Sequence, residues 1–281
     1  MKKIYKSIFL GGLLGVTSLS IGSCGDAFDY PDWQVIDEKQ NGTSGDDGID
    51  KGDVSDEILE GELRQAMEYV IDFREHKYQY QRNTNIDVFA GYCTVSKSKF
   101  DFGQPLYHTY DYPNGYYGGP LGESQKLFPQ LYHAYFFGES HGKPEWKAIA
   151  QILYAYSMHE LVDFFGAIPY NDYRNLKETN PLEYLSCEET YKAIFNDLNE
   201  AITILKESKP SAEMLKRVEG EKSGYSKGDW KNWVRLANSI RFRMALNMVK
   251  VNPGEAQTIA ESAATDELGL ITEDFGLPVD D

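Results

Sequence analysis

The segment that most limits what this chain can fold into is Glu145 to Phe165, "EWKAIAQILYAYSMHELVDFF". It is apolar on nearly every face when wound as a helix, so no side of it can be left to water. A helix of this kind sits in the middle of a bundle, covered by neighbours. It stops at Gly166, a residue suited to the position after a helix end, and Pro169 follows shortly afterwards. The rest of the chain must therefore supply the cover.

Helical signals continue on both sides. From Ser55, "EILEGELRQAM" runs on into "YVIDFREHKYQYQR" with no proline until Pro105. Ser186-Cys187-Glu188-Glu189 is a capping box, with serine first and glutamate three residues later. Behind it Tyr191, Ile194, Phe195, Leu198, Ile202 and Leu205 recur at steps of three and four, one apolar stripe. A further helix is predicted from Asp229 to about Lys250, with Trp230, Trp233, Val234, Ala237, Ile240, Met244, Ala245 and Met248 on its inner side. Asn252-Pro253 then opens a short helix through Ala264. No convincing period-two strand of any length occurs. The expected fold class is all-α, with antiparallel helix pairs of the tetratricopeptide kind joined by long loops, although no clean 34-residue repeat is present.

The N-terminus is a processing segment. Lys2, Lys3 and Lys6 precede an apolar run, Ile8 to Leu19, too short to cross a bilayer as a stable helix. Ile21-Gly22-Ser23-Cys24 resembles the bacterial lipobox, in which the bond before the cysteine is cut and the cysteine carries lipid. Cys24 is thus expected to be a membrane anchor, since each buried CH₂ of an acyl chain contributes about 0.8 kcal/mol. The predicted organisation is a lipoprotein signal peptide over 1–23, a lipidated tether over 24–54, and a helical domain over 55–281. The Gly- and Asp-rich stretch Gln40 to Asp56 reads as a solvated lead-in, because its acids do not follow calcium-loop spacing.

Charge and motif content exclude several function classes. Cleavage before Cys24 would remove 23 residues, including three lysines and no acid, taking 281 residues to 258 and the formal charge from −16 to −19 (25 basic, 44 acidic). So negative a surface repels phosphate backbones, and nucleic acid is not an expected partner. His159 and Asp163 in "HELVD" fall one residue short of a zinc-protease spacing, and two ligands alone do not hold a catalytic metal. No phosphate loop, nucleophile elbow or Cys/His pair at motif spacing occurs, so neither catalysis nor a cofactor is expected. Cys93 and Cys187 match no metal or redox spacing; a disulfide and two buried thiols fit equally. Arg235, Arg241 and Arg243 could meet an acidic ligand, but pairing with acids of neighbouring helices is the stronger expectation.

Aromatic content points to binding. Tyr, Phe and Trp number 20, 14 and 4. Most serve helix interfaces, but "PLYHTYDYPNGYYGGPLGE" (Pro105 to Glu123) sets Tyr107, Tyr110, Tyr112, Tyr116 and Tyr117 among Pro and Gly with no helical period. It reads as a loop. Flat rings with polar tips suit sugars, whose C–H faces pack on the ring while hydroxyls bond to neighbours. The five tyrosines are candidate ligand-binding or transporter-contacting residues, weighed against a loop that simply folds back on the helices.

Three stretches carry a family resemblance: "LVDFFGAIPYND" (Leu161 to Asp172), "YKAIFNDLNEAITIL" (Tyr191 to Leu205) and "KGDWKNWVRLANSIRFRMALNM" (Lys227 to Met248). Together they look like the SusD/RagB family of outer-membrane lipoproteins. The match is to the branch in which a Gly-Asp-x-x-x-Trp turn, here Gly228-Asp229 and Trp233, leads into an Ala-Asn-Ser-x-Arg-x-Arg helix, here Ala237 to Arg243. "YQYQRNTNID" (Tyr78 to Asp87) fits the N-terminal region of that branch. The resemblance implies an N-terminal lipid anchor, a tetratricopeptide-like helical core, and a lid on a SusC-like TonB-dependent transporter that captures oligosaccharides or other nutrients. The alternative is a helical interaction scaffold without a small ligand, and a lipoprotein glycoside hydrolase ranks third. In the family the Asn-Ser-x-Arg-x-Arg helix lies near mid-chain, whereas this chain ends "ITEDFGLPVDD". It is therefore expected to correspond to the N-terminal half of such a protein.

Overall fold

A computed structural model of the chain describes residues 51–70, 87, 90–92, 118–177, 180–220 and 225–273. Among the described residues the architecture is all-α. The helices are α1 (Asp56–Val70), α2 (Gly118–Phe137), α3 (Pro144–Phe165), α4 (Tyr170–Arg174), α5 (Cys187–Ser208), α6 (Ala212–Glu219), α7 (Trp230–Met248) and α8 (Pro253–Ala264). Extended pairing is limited, among these residues, to one bridge between Ile168 and Leu185.

Helix α3 is the predicted central element. Sixteen of its 22 residues are buried, on every face, as a uniformly apolar sequence requires. It packs against α1, α2, α5 and α7. Around it α1 packs on α2, α5 on α7 and α7 on α8, and smaller contacts join α6 to α1 and α2 to α4. This is the helix-pair stacking expected of a tetratricopeptide-like fold. Small residues set the close approaches, with Ala148, Ala155, Ala201 and Ala237 fully buried. The larger side chains Trp146, Ile149, Ile152, Leu153, Tyr154 and Trp233 fill the layers between them.

The helix ends are local chemistry. Gly166 takes φ +80°, and its N–H caps the Val162 carbonyl at 2.9 Å. At the start of α5 the capping box is complete: Glu189 N–H donates to Ser186 Oγ at 3.3 Å, and Ser186 N–H donates to Glu189 Oε2 at 2.9 Å. Asp229 caps α7 and Asn252 caps α8. One expectation is corrected here. Gly118 to Glu123, read as part of a tyrosine-rich loop, is the first part of α2. Pro120 is tolerated because a first turn needs no donor there, and Pro129 lies in the interior, without an N–H for the preceding turn.

The turn before α7 is built on a buried carboxylate. Glu219 accepts from Ser226 N–H (3.1 Å), the Ser226 hydroxyl and Trp233 Nε1–H (2.8 Å). Tyr225 lies parallel to the Trp233 ring at 5.9 Å, and its hydroxyl donates to the Met67 carbonyl of α1. Gly228 sits at φ +74°, and a Cβ there would come within 3.3 Å of Ala212 Cβ, so the turn requires glycine. Arg217 of α6 grips Glu60 of α1 with two nitrogens, at 3.1 and 2.8 Å.

His141, in the α2–α3 turn, clasps the start of α1. Its Nδ1 lies 2.6 Å from Asp56 Oδ1 and its Nε2 2.7 Å from Asp53 Oδ1. Both ring nitrogens donate only in the imidazolium form. The hydrogen bonds to Asp53 and Asp56 accordingly raise the His141 pKa, against a smaller effect of burial.

Two outcomes follow from this packing. Leu153→Ala, at a site 1 % exposed, is expected to lower unfolding free energy by about 2–5 kcal/mol in denaturant titrations. The His141 clasp stabilises the fold fully below the unfolded histidine pKa of ~6.5 and is lost as pH rises through the raised folded value. The Tm difference between the native chain and His141→Gln should therefore shrink as pH increases; a difference that is constant or grows would contradict it.

Candidate functional site

Cys24, Tyr107, Tyr110, Tyr112, Tyr116 and Tyr117 lie outside the described residues, as do Cys93 and the stretch Tyr78 to Ile86. The last tyrosine of the candidate set immediately precedes α2 in sequence, and α2 continues the aromatic character. Phe128, Tyr132, Tyr135 and Phe136 sit on it, with Phe136 42 % exposed.

Beneath them is a polar cluster set in aromatic surroundings. Phe128 stacks on Tyr173 of α4 at 5.3 Å and meets Tyr154 of α3 edge-on at 5.4 Å. The Tyr154 hydroxyl donates to the Tyr170 carbonyl at 2.5 Å. The Tyr170 hydroxyl in turn donates to the Asp197 carboxylate of α5. Arg174 closes the set: its Nη1 lies 3.0 Å from Asp197 Oδ2, its Nη2 donates to Asn171 Oδ1 at 3.0 Å, and its guanidinium lies 4.7 Å from the centre of the Tyr135 ring and 5.4 Å from that of Tyr170. Burial pushes the Asp197 carboxyl upward, while Arg174 and the Tyr170 hydroxyl pull it back. Arg174 and Asp197 form a charged, largely desolvated pair, and the flat guanidinium against two rings adds cation–π attraction. The Leu161–Asp172 motif and the α5 motif meet at this point. Next to it Lys147 bridges Glu139 (2.8 Å) and Glu200 (2.7 Å), and Gln151 donates to Glu200 at 2.7 Å.

The arginines of the Ala-Asn-Ser-x-Arg-x-Arg helix are placed differently from expectation. Among the described residues none of Arg235, Arg241 and Arg243 forms an ion pair. Arg235 donates to the Leu268 carbonyl (3.1 Å) and Asn232 Oδ1 (2.6 Å). Arg241 donates to Asn238 Oδ1 and Ser262 Oγ, both at 2.9 Å. Ser239 Oγ accepts the Ile271 N–H at 2.9 Å, and Asn238, fully buried, donates to the Gly269 carbonyl at 3.3 Å. The motif is a docking strip for residues 268–271: Arg235 and Asn238 donate to its backbone carbonyls, and Ser239 accepts a backbone amide.

His159 and Asp163 are separated by environment. His159 is fully buried, its two ring nitrogens without hydrogen-bond partners, and burial pushes its pKa down to about 4. Asp163 is exposed and accepts from the Tyr191 hydroxyl and from Asn247 Nδ2 at 2.8 Å. Among the described residues no group of three or more His, Cys, Asp and Glu is placed to hold a metal. Cys187 is an exposed thiol at the first position of α5, not a buried one.

The fold and its aromatic, charge-paired interior define an all-α protein of packed helix pairs. The chain belongs to the SusD-like family (Susd and RagB outer membrane lipoprotein), whose model matches residues 47–276. Among solved structures it is similar to a chitin-binding SusD homolog from Flavobacterium johnsoniae, at 28% identity and TM-score 0.62, covering 75% of this chain and 43% of that one. A SusD homolog from Bacteroides uniformis matches at 24% identity and TM-score 0.62, covering 77% and 43%. A third, from Parabacteroides distasonis, matches at 20% identity and TM-score 0.62, covering 76% and 40%; the last two likenesses concern the fold alone. The chain thus spans about two-fifths of the length of these structures. A comparison with curated proteins returns no match.

Removing Arg174 leaves a buried carboxylate without its cation. Arg174→Met is expected to cost about 3–5 kcal/mol in chemical unfolding, and adding Asp197→Leu should recover a large part of that loss. Additive losses in the double variant would show that the pair is uncoupled.

Proposed function

We propose that this chain is part of a lipid-anchored, surface-exposed outer-membrane protein that binds glycans without cleaving them and serves as a lid for a SusC-like TonB-dependent transporter. The observation that carries the reading is the SusD-like family match over residues 47–276. The 28% identical chitin-binding homolog supports a glycan as the ligand class. Attachment is through lipid on Cys24, since a net charge of −16 offers no attraction to an anionic membrane surface.

A lid of this kind must hold its ligand long enough to capture it and release it on transfer. Dissociation constants between about millimolar and micromolar, −4 to −8 kcal/mol, meet both demands. Tyrosine is suited to such work because it offers a wide apolar face, a hydroxyl and few torsions to freeze. Tyr107, Tyr110, Tyr112, Tyr116 and Tyr117 are the proposed ligand contacts.

Isothermal titration of the full chain against a panel of oligosaccharides, chitin fragments included, tests the reading. Tyr112→Ala/Tyr116→Ala/Tyr117→Ala together should weaken binding about tenfold or more while leaving helical circular dichroism unchanged. Co-purification with a large β-barrel from the native envelope is the matching partner assay. No binding to any glycan, with a retained protein partner, would favour an interaction scaffold instead.

A further inference from the structure

A cleft of about 220 Å³ lies between α5, α7 and α8, built from residues to which the tyrosine-loop reading assigns no role. Its α5 wall is Lys192, Phe195, Asn196 and Asn199, the i, i+3, i+4, i+7 set that occupies one helix face. Arg241 comes from α7, and Glu255 and Ile259, four residues apart, come from α8. Phe195 and Ile259 make the apolar part of the lining. The polar part is mixed in sign and carries unused hydrogen-bonding capacity. The side-chain amides of Asn196 and Asn199 have no partner among the described residues, and both residues are exposed. Arg241 spends two nitrogens on neutral oxygens, Asn238 Oδ1 and Ser262 Oγ; its third, Nε, is buried without an acceptor. Glu255 accepts from Asn252 Nδ2 at 2.6 Å through one oxygen, leaving capacity on the other. Lys192 is paired with Glu188.

This set of groups selects among ligand chemistries. An anion would face Glu255, with Glu188 beside Lys192 and Asp266 acting on Arg241, on a chain of net charge −16. A purely apolar ligand would strand two amides and a carboxylate. Neutral vicinal hydroxyls satisfy both needs, because each hydroxyl donates and accepts. Amides, a carboxylate and a guanidinium, with one aromatic and one aliphatic side chain in the same lining, match the hydroxyls and the C–H face of a sugar ring. The volume is under the ~300–1,000 Å³ of drug-sized sites, so it holds one ring rather than a chain segment.

We infer that the α5–α7–α8 cleft is a second saccharide subsite, taking one neutral pyranose residue, on the helical stack and separate from the tyrosine loop. It extends the glycan reading and rests on it for ligand class, but not on any tyrosine of that loop.

The test is ligand-observed saturation-transfer NMR of the full chain with methyl glucoside, N-acetylglucosamine and glucuronate. The neutral sugars should give saturable millimolar binding, and glucuronate should bind more weakly. Asn196→Ala/Asn199→Ala, at exposed positions, should weaken the neutral sugars about tenfold with Tm unchanged. Arg241→Gln should act in the same direction, and the Tyr112→Ala/Tyr116→Ala/Tyr117→Ala variant should leave monosaccharide binding intact. Failure of the loop variant to affect oligosaccharides would overturn the loop reading while leaving this one standing. Absence of saturable monosaccharide binding, indifference to both sets of cleft substitutions, or loss only in the loop variant would overturn the cleft.

Discussion

The burial of α3 on all sides organises the molecule. Trp146, Ile149, Ile152, Leu153, Tyr154 and Met158 are each at most 1 % exposed, and they face α1, α2, α5 and α7 in different directions. A helix with one apolar stripe can be satisfied by a single neighbour. This one needs several, and they must come from distant parts of the chain. The hydrophobic effect then does two jobs: it drives collapse, and it dictates that chain segments on both sides of α3 wrap around it.

Apolar burial does not choose orientation, and here polar groups do. Asp197 takes Tyr170 and Arg174 together, which fixes α4 against α5. Glu219 collects Ser226 and Trp233, which sets the angle at which the chain enters α7. Each is a carboxylate in a dry place, costly if left unpaired, and so each tolerates one arrangement of its partners. His141 adds a third tie, between its turn and the start of α1.

Much of the family signature thus turns out to be architecture. The Gly-Asp-x-x-x-Trp turn is a backbone that only glycine permits, followed by a cap and an indole aimed at Glu219. The Asn and Ser of the next helix hold residues 269 and 271. On the readings proposed above, recognition falls to the tyrosines that precede α2 in sequence and to the side-chain amides of Asn196 and Asn199 on α5, rather than to the groups that hold the stack together. Differences in ligand among such proteins can then arise without changing the core.

The sequence alone determined what local physics can decide. Helix α3 and its stop at Gly166, the capping box of α5, the starts of α7 and α8, and the all-α class were legible, because periodicity, caps and glycine act within a few residues. Three things were not. The first turns of α2 looked like loop, since Gly118, Gly119 and Pro120 disfavour helix locally, yet the helix begins at Gly118. Arg235 and Arg241 of α7 were expected to meet acids and instead meet asparagines one turn back on their own helix, a carbonyl and a serine, the last two set by where residues 268 and 262 come to rest. The Arg174–Asp197 pair joins residues 23 positions apart, and the α5–α7–α8 cleft spans 67 positions from Lys192 to Ile259. Only tertiary packing brings such groups to within a few ångströms, and no spacing rule along the chain encodes that distance.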